Sequence, residues 1–211
     1  MAVDSHQHGG TVTPGLAVLI SGSGRTMANL ADRCADGTIP ARLAAVIASR
    51  DCPGLGLARE RGLHAIVRPG GVNAGELEEL RREIGFSWVA LAGYLRRLDP
   101  PSSLEGRVLN IHPALLPGDG TPGPFGGLGM HGRRVHEAVL ASGARESGCT
   151  VHLVNNEYDA GEVILRKRCP VEPGDTPQTL AARVFELELE AYPEALRKVL
   201  RSAGAARSGT R

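Results

Sequence analysis

Short apolar runs alternate with longer helix-like segments along the first half of the chain. The apolar runs are candidate strands: LAVLIS (16–21), LAAVIAS (43–49), HAIV (64–67), WVALAG (88–93) and RVLNIH (107–112). Helices are predicted between them, near 26–36, 54–61 and 74–84. Continuous apolar runs are typical of parallel strands that are covered on both faces. The alternation therefore predicts an α/β fold with a single doubly wound, mostly parallel, Rossmann-like sheet.

A different pattern begins after residue 112. A loop rich in Gly and Pro (113–130) precedes a predicted helix at 131–142. The runs CTVHLVNN (149–156) and EVILRKRCPV (162–171) are joined through EYDAG, and they predict a late antiparallel hairpin. An Asp-Thr-Pro start signal predicts a last helix from residue 177 to about residue 201.

The chain is predicted to form one domain over residues 15–202. No internal repeat or low-complexity linker interrupts this range, whereas segments 1–14 and 203–211 predict a disordered lead-in and a disordered tail. A chain of 211 residues can bury a sizeable core without disulfides or metal ions. The four cysteines stand alone and form no C-x-x-C pair, so no metal site is predicted.

The composition limits the kinds of molecule that this protein is expected to bind. Lys and Arg (24) nearly balance Asp and Glu (23), and aromatic residues make up only 3% of the chain. Both values disfavour binding to nucleic acid, and the charge balance also disfavours an anionic membrane surface. The sequence shows no secretory signal and no apolar run of about 18 residues. We therefore expect a cytoplasmic monomer or homodimer that acts on small molecules.

A Gly-rich turn is the first candidate for ligand binding. SGSGRTMANL (21–30) lies between a predicted strand and a predicted helix. Free backbone amides at a helix start favour an anion, and glycine lets a ligand approach closely, so Gly24, Arg25 and Thr26 could bind a phosphate. The alternative is a plain tight turn, because the motif lacks the third glycine of the dinucleotide fingerprint.

Two further motifs place polar side chains at turns. NIHPALLP (110–117) ends a predicted strand with Asn110, an amide donor, and with His112, which can exchange a proton near neutral pH. Together they could stabilise charge that develops on a carbonyl oxygen. Asp159 lies in NNEYDAG, where a carboxylate is by itself a favourable turn residue.

The chain resembles the glycinamide ribonucleotide formyltransferase family of folate-dependent enzymes. The matching segments are LISGSGRTMANL (19–30), LAGYLRRLDP (91–100), VLNIHPALLP (108–117), CTVHLVNNEYDAGEVIL (149–165) and DTPQTLAARVFELELEAYP (175–193). They span roughly residues 16–200. N-I-H-P-x-L-L-P followed by x-V-H and D-x-G is specific to folate-dependent formyl transfer, whereas the Gly-rich turn alone is not.

The resemblance implies roles for individual residues. Asn110, His112 and Asp159 fall on the catalytic trio, and His152 falls on a strand histidine beside the active site. The residues that fall on the ribonucleotide site are Gly24, Arg25 and Thr26 at the phosphate and Glu188 at the ribose. The residues that fall on the segment bordering the folate pteridine are Leu95, Arg96, Arg97 and Leu98.

The reaction that the resemblance implies moves a formyl group from 10-formyltetrahydrofolate to the amine of 5'-phosphoribosylglycinamide, in de novo purine (IMP) biosynthesis. The folate is a co-substrate and no metal is required. Attack by the amine creates an oxyanion, which Asn110 and a protonated His112 can hydrogen-bond. Asp159 can favour the charged imidazole and organise a water that relays the amine proton to the departing folate nitrogen.

The chain departs from the family pattern at three places. Arg25-Thr26 stands where many members have Ser-Asn, and Arg97 occupies a position that is commonly aliphatic. The loop at 118–131 is longer than in compact members, so His131 and His136 receive no role.

Three other functions remain open on the sequence alone. Formyltetrahydrofolate deformylases use a similar trio, but they normally carry a preceding regulatory domain, and only about fifteen residues precede the first predicted strand. Other formyltransferases act on a different amine, such as that of a sugar nucleotide or of methionyl-tRNA; the tRNA enzymes continue into a further basic domain. A nucleotide-binding module that has lost catalysis would have no need of Asn110, His112 and Asp159 together.

Overall fold

The computed structural model describes residues 13–208. Within this range the strands are β1 (Gly15–Ile20), β2 (Arg42–Ala48), β3 (Ala65–Val67), β4 (Trp88–Leu91), β5 (Val108–His112), β6 (Glu146–Leu153) and β7 (Val163–Pro170). The α-helices are α1 (Arg25–Ala35), α2 (Pro53–Glu60), α3 (Ala74–Ile84), α4 (Arg133–Ala141) and α5 (Pro177–Ser208). The predicted α/β class is therefore confirmed.

All seven strands belong to one sheet in the order β3-β2-β1-β4-β5-β6-β7. The pairs from β3 to β5 are parallel, and β6 and β7 are antiparallel to their neighbours. The doubly wound, mostly parallel sheet and the late antiparallel hairpin are both as predicted. Because β1 pairs with β2 on one side and β4 on the other, the chain reverses its direction of winding beside β1.

The two faces of the sheet are covered by different helices. Alternate residues of β1 divide between two cores, with Leu16 and Val18 on one face and Ala17 and Leu19 on the other. The first face packs against buried residues of α1, α2, α4 and α5. The second face packs against α3 and against the segment that contains Tyr94 and Leu98. We call these the α5 face and the α3 face.

The last helix differs from its predicted length. It continues to Ser208, and so it includes residues 203–208, which the sequence suggested were disordered. The segment AGAAR is rich in alanine, the best helix former, and it extends a helix that is already docked on the sheet. Residues 1–12 and 209–211, the outer parts of the predicted lead-in and tail, lie outside the described residues.

α5 contains Pro193 in its interior, and α1 compensates for it. Proline has no N–H to donate to the carbonyl four residues earlier, which is that of Leu189. The Asn29 side chain on α1 donates from Nδ2 to this Leu189 carbonyl at 2.8 Å. Asn29, the ninth residue of the SGSGRTMANL motif, therefore joins α1 to α5 at the base of the Gly-rich turn.

We expect Asn29→Ala to lower the free energy of unfolding by about 1–2 kcal/mol, because the part-buried Leu189 carbonyl loses its donor. In a Pro193→Ala background residue 193 regains an N–H, so the same Asn29 substitution should cost markedly less. Urea unfolding of the two single variants and the double variant measures this coupling. Equal costs in both backgrounds would contradict the assignment.

Candidate active site

The carboxyl ends of the central strands open onto a cavity of about 570 Å³. In open α/β sheets, ligands bind where the winding direction reverses, which here is beside β1. The cavity is lined by every site residue predicted from the sequence except Gly24: Arg25, Thr26, Leu95, Arg96, Arg97, Leu98, Asn110, His112, His152, Asp159 and Glu188. The fold thus brings together motifs that are far apart in the sequence.

Gly24 shapes the turn between β1 and α1. Its φ is +77°, and a Cβ atom there would come within 2.6 Å of the Gly54 Cα. The Gly54 N–H also donates to the Gly22 carbonyl at 3.0 Å, so the start of α2 packs directly on the turn. Close backbone packing against Gly54 therefore explains why residue 24 is a glycine. The turn leaves Arg25 and Thr26 as the first helical residues of α1, whose N–H groups have no partner within the helix.

Arg25 is positioned by an aromatic ring. Its guanidinium carbon lies 3.9 Å from the centroid of the Phe185 ring on α5. A guanidinium stacked in this way keeps its N–H donors available, because they point outward in the plane of the group. Arg25 therefore presents a positive charge next to the free amides at the start of α1, a combination suited to an anion.

Glu188 is a carboxyl group held in the cavity wall on α5. Burial raises its pKa to about 7, although the positive charge of Arg25 acts in the opposite direction. When a buried carboxyl group ionises, it lowers the stability of the folded protein. Carboxyl groups with a raised pKa are concentrated at functional sites. Its place beside Arg25 makes Glu188 a candidate for binding a hydroxyl-bearing ligand.

Asp159 connects the predicted trio. Its Oδ1 accepts a hydrogen bond from Asn110 Nδ2 at 3.3 Å, and its Oδ2 lies 3.4 Å from His112 Nδ1. Oδ2 also accepts from the Gly127 N–H at 3.0 Å. The carboxylate therefore joins β5, the loop after β5 and the β6–β7 turn in one hydrogen-bonded group.

His152 orients Asn110 from the neighbouring strand. Its Nδ1 donates to the Leu153 carbonyl at 2.8 Å, and its Nε2 lies 3.5 Å from Asp159 Oδ1. Asn110 Nδ2 lies 3.2 Å from this Nε2. The amide nitrogen of Asn110 thus lies between the His152 ring and the Asp159 carboxylate.

The backbone around Asp159 explains the D-x-G spacing. Asp159 has φ +53°, and it is the one non-glycine residue with positive φ among residues 13–208. Strained backbone of this kind persists where its surroundings hold it, and it is frequent at active sites. Two residues later, a Cβ atom on Gly161 would overlap the Leu153 carbonyl. The motif therefore needs glycine at position 161 for close approach to β6.

The surroundings of the trio set its protonation. Burial lowers the pKa of His112, while the Asp159 carboxylate and the Phe125 carbonyl act in the opposite direction. Burial alone would raise the pKa of Asp159, but the His152 and His112 rings and the Gly127 N–H bring it below its usual value. The two ring nitrogens of His112 face acceptors, the Asp159 carboxylate at Nδ1 and the Phe125 carbonyl at Nε2, and both oppose the effect of burial on its pKa. Burial has the larger effect and lowers the pKa of His112, and a protonated His112 in the reaction stays a prediction.

The loop between β5 and α4 covers the trio. The Phe125 carbonyl oxygen lies 2.6 Å from His112 Nε2 and accepts its hydrogen bond. The beginning of the loop is anchored to the hairpin, since Thr150 Oγ1 donates to the Ala114 carbonyl and Arg166 Nε donates to the Leu116 carbonyl. In this structure the donor on His112 is therefore already used by the protein's own backbone.

The segment 95–98 combines apolar and charged side chains at the mouth of the cavity. Leu98 is buried in the core of the α3 face, whereas Leu95 is 51% exposed at the rim. Arg97 donates to the Asn156 carbonyl at 3.2 Å, across the mouth from its own segment. Arg96 lines the cavity beside them. A flat apolar ligand could therefore contact the leucine side chains of this segment, with positively charged arginines on either side.

Residues 13–208 contain no group of three or more His, Cys, Asp or Glu residues placed to hold a metal ion. Their helices include none with the length and apolar content needed to cross a membrane.

Sequence reasoning missed four residues that take part in the site. Phe185 carries the guanidinium of Arg25, Phe125 contacts His112, and His136 and Leu128 line the cavity. The helical spacing of Phe185 and Glu188, three residues apart, could have suggested that they share a face. The contact of Phe125 with His112 depends on the path of an irregular loop, for which the sequence carries no periodic signal.

Comparison with known proteins shows similarity to one family of enzymes. The sequence profile of the formyl transferase family matches residues 15–196. The phosphoribosylglycinamide formyltransferase of Arabidopsis thaliana, named as chloroplastic, is 39% identical over 189 residues, covering 85% of this chain and 63% of that protein. That of Haemophilus influenzae is 34% identical, covering 84% of this chain and 83% of that protein. The crystal structure of glycinamide ribonucleotide transformylase 1 from Symbiobacterium toebii superposes with a TM-score of 0.76 at 37% identity, covering 88% of this chain and 86% of that one.

The chain therefore belongs to the formyl transferase family. The relatives named above are, within that family, phosphoribosylglycinamide formyltransferases. The chain spans less than two thirds of the length of the plant relatives that it matches.

We expect Glu188→Gln to stabilise the protein at high pH. In the folded protein the pKa rises from 4.5 to about 7, so between these values the unfolded chain loses a proton that the folded protein keeps, and stability falls as pH rises. Above pH 7 the loss is complete and amounts to about 3 kcal/mol, at about 1.4 kcal/mol per pKa unit. The glutamine variant should therefore exceed the parent by up to that amount at pH 8 and match it at pH 4.

Urea unfolding at the two pH values measures this difference. Glu186→Gln, on the exposed side of the same helix, is the matched control and should show no such dependence. Parallel stability curves for the parent and Glu188→Gln would show that Glu188 ionises as readily in the folded protein as in the unfolded chain.

Proposed function

We propose that this protein transfers the formyl group of 10-formyltetrahydrofolate to the amine of 5'-phosphoribosylglycinamide, as a step of purine biosynthesis. The observation that carries this proposal is the connected group of Asn110, His112 and Asp159 at the edge of a cavity that also holds an anion-binding turn. Relatives that bear the name of this activity, at 34–39% identity, support it.

The reaction needs stabilisation of an oxyanion and movement of one proton. The amine nitrogen bonds to the formyl carbon, the bond from that carbon to the folate nitrogen breaks, and the amine proton passes to the folate nitrogen. His112 Nε2, which now donates to the Phe125 carbonyl at 2.6 Å, can donate to the formyl oxygen once that carbonyl is displaced. Asn110 Nδ2 can give up one of its two long contacts, 3.2 and 3.3 Å, for a stronger bond to a charged oxygen. Asp159, ionised at neutral pH, can orient a water that relays the proton.

The acceptor is expected on the α5 face. Arg25 and the N–H groups at the start of α1 would bind its phosphate, and Glu188 would accept from a ribose hydroxyl. The guanidinium of Arg25, stacked on Phe185, adds a positive charge that the backbone amides lack.

The folate is expected on the α3 face. Leu95 and Leu98 would contact its apolar ring system, and Arg96 and Arg97 lie at the mouth of the cavity where a negatively charged tail would emerge. No step of this account requires a metal ion. A cytoplasmic location, a monomeric or homodimeric state and the lack of nucleic-acid binding remain predictions.

One assay separates the candidate functions. Purified protein is incubated with 10-formyltetrahydrofolate, with and without 5'-phosphoribosylglycinamide, and the deformylated folate and formylated ribonucleotide are both measured. Equal amounts of both products, formed only when the ribonucleotide is present, are the expected result. Folate turnover with water alone would identify a deformylase, and no turnover in either mixture would indicate another acceptor amine or a binding module.

We expect His112→Ala to lower the turnover number by at least 10²–10³-fold, roughly the cost of removing one oxyanion donor elsewhere. The measurement is the same assay at saturating concentrations of both substrates, with circular dichroism as the test of folding. His64→Ala, which changes an exposed histidine away from the cavity, is the control and should retain full turnover. A folded His112→Ala protein with near-parental turnover would remove His112 from the mechanism.

We expect Arg25→Ala to weaken ribonucleotide binding about tenfold or more, because a charge-assisted contact to phosphate is lost. Folate affinity should stay unchanged, since the folate segment lies on the opposite face of the sheet. Calorimetry at low and moderate salt measures both affinities, and Arg33→Ala, an exposed arginine of the same helix, is the control. Unchanged ribonucleotide binding at both salt concentrations would show that the backbone amides hold the phosphate alone.

A further inference from the structure

His136 is a buried histidine that neither the trio nor the phosphate turn explains. It lies in α4, its side chain is 4% exposed, and its Nδ1 has no hydrogen-bond partner among residues 13–208. Leaving a buried imidazole nitrogen unpaired costs free energy, and native proteins contain few such groups. A group of this kind needs a polar partner that the free protein does not supply.

The ring belongs to the wall of the cavity. His136 lines the same space as Arg25, Glu188 and His112, and it is close enough to His112 for the two rings to interact electrostatically. A ligand in this cavity can therefore contact the ring, and Nδ1, which solvent does not reach in the free protein, comes within reach of the ligand when the imidazole turns about its Cβ–Cγ bond.

The position of α4 indicates which ligand. Val139, three residues after His136, packs in the core of the α5 face with Leu30 of α1 and Val184 of α5. Tyr94 and Leu98, next to the expected folate site, pack in the core of the α3 face. His136 therefore approaches the cavity from the side that carries Arg25 and Glu188, which is the acceptor side.

The charge state of the ring limits the chemistry. Burial lowers the pKa of His136, and the neighbouring His112 lowers it further. The ring is thus neutral at physiological pH, with one N–H donor and one acceptor nitrogen. It suits an uncharged polar group, such as a hydroxyl or an amide, better than a phosphate.

We infer that His136 is a binding residue for the acceptor ribonucleotide and that it hydrogen-bonds an uncharged hydroxyl or amide group of that substrate. This inference rests on the proposed function, because it takes 5'-phosphoribosylglycinamide as the ligand. It assigns the unpaired Nδ1 a partner and gives the acceptor site a contact from α4 in addition to those from α1 and α5.

The test compares His136→Leu, which keeps the bulk and removes the hydrogen bond, with His136→Asn, whose amide can replace the contact of Nδ1. Calorimetry with 5'-phosphoribosylglycinamide should show about tenfold weaker binding for the leucine variant and partial recovery for the asparagine variant. The affinity for 10-formyltetrahydrofolate should stay within twofold of the parent. Thermal unfolding without ligand should show no loss of stability in the leucine variant, because the removed group had no partner.

Ser147→Ala is the matched control. Ser147 Oγ is the other buried side-chain atom without a partner in the described part of the chain, and Ser147 does not line the cavity. The alanine variant should bind both substrates as the parent does.

Two results separate this inference from the proposed function. If the parent protein does not bind the ribonucleotide, the proposed function is wrong; if it binds and His136→Leu binds equally well, only the role of His136 is wrong. A leucine variant that loses stability without ligand and loses affinity for both substrates would make His136 a structural residue. Should neither variant fold, nitrogen-15 spectra of histidine-labelled parent protein decide: the His136 nitrogens should shift on addition of ribonucleotide, and an unchanged signal at saturation would overturn the inference.

Discussion

The Asp159 carboxylate holds together the segments from which the candidate active site is built. It accepts from Asn110 on β5 and from the Gly127 N–H in the loop, and it lies beside the rings of His112 and His152. A buried carboxylate needs such partners, because an unpaired charge away from water is very unfavourable. The same need fixes the backbone at Asp159 in a left-handed conformation, with Gly161 packed against β6.

In the proposed function, the two substrates lie against opposite faces of the sheet. Side chains alternate along β5, so Leu109 and Ile111 belong to the α5 face while Asn110 and His112 point away from it. Arg25, Glu188 and His136 approach the cavity from the α5 face. The trio therefore lies between the two faces of the sheet. There, an amine bound on one face can contact a formyl carbon bound on the other. The Phe125 carbonyl now occupies the hydrogen-bonding position that the formyl oxygen would take on His112.

Much of this arrangement could be predicted from the sequence, because it depends on periodic or local signals. The apolar runs fix the strands, and the Asp-Thr-Pro signal places the start of α5 at Pro177. The positions of the trio came from a resemblance, since spacing alone cannot show that Asp159 meets residues about fifty positions earlier. The roles of Gly24 and Asn29 could not be predicted, because each depends on a contact with another helix, at Gly54 and Leu189. The effect of burial on the pKa of His112 could not be predicted for the same reason, because the burial depends on the whole fold.

A crystal structure with 5'-phosphoribosylglycinamide and a non-reactive analogue of 10-formyltetrahydrofolate tests the central claim most directly. The account predicts the phosphate against Arg25 and the start of α1, and the folate ring beside Leu95 and Leu98. It also predicts that the amine and the formyl-equivalent carbon meet within reach of Asn110 and His112, with the Phe125 carbonyl displaced from His112. Ligands bound on one face only, or a Phe125 carbonyl still on His112 with both ligands in place, would contradict it.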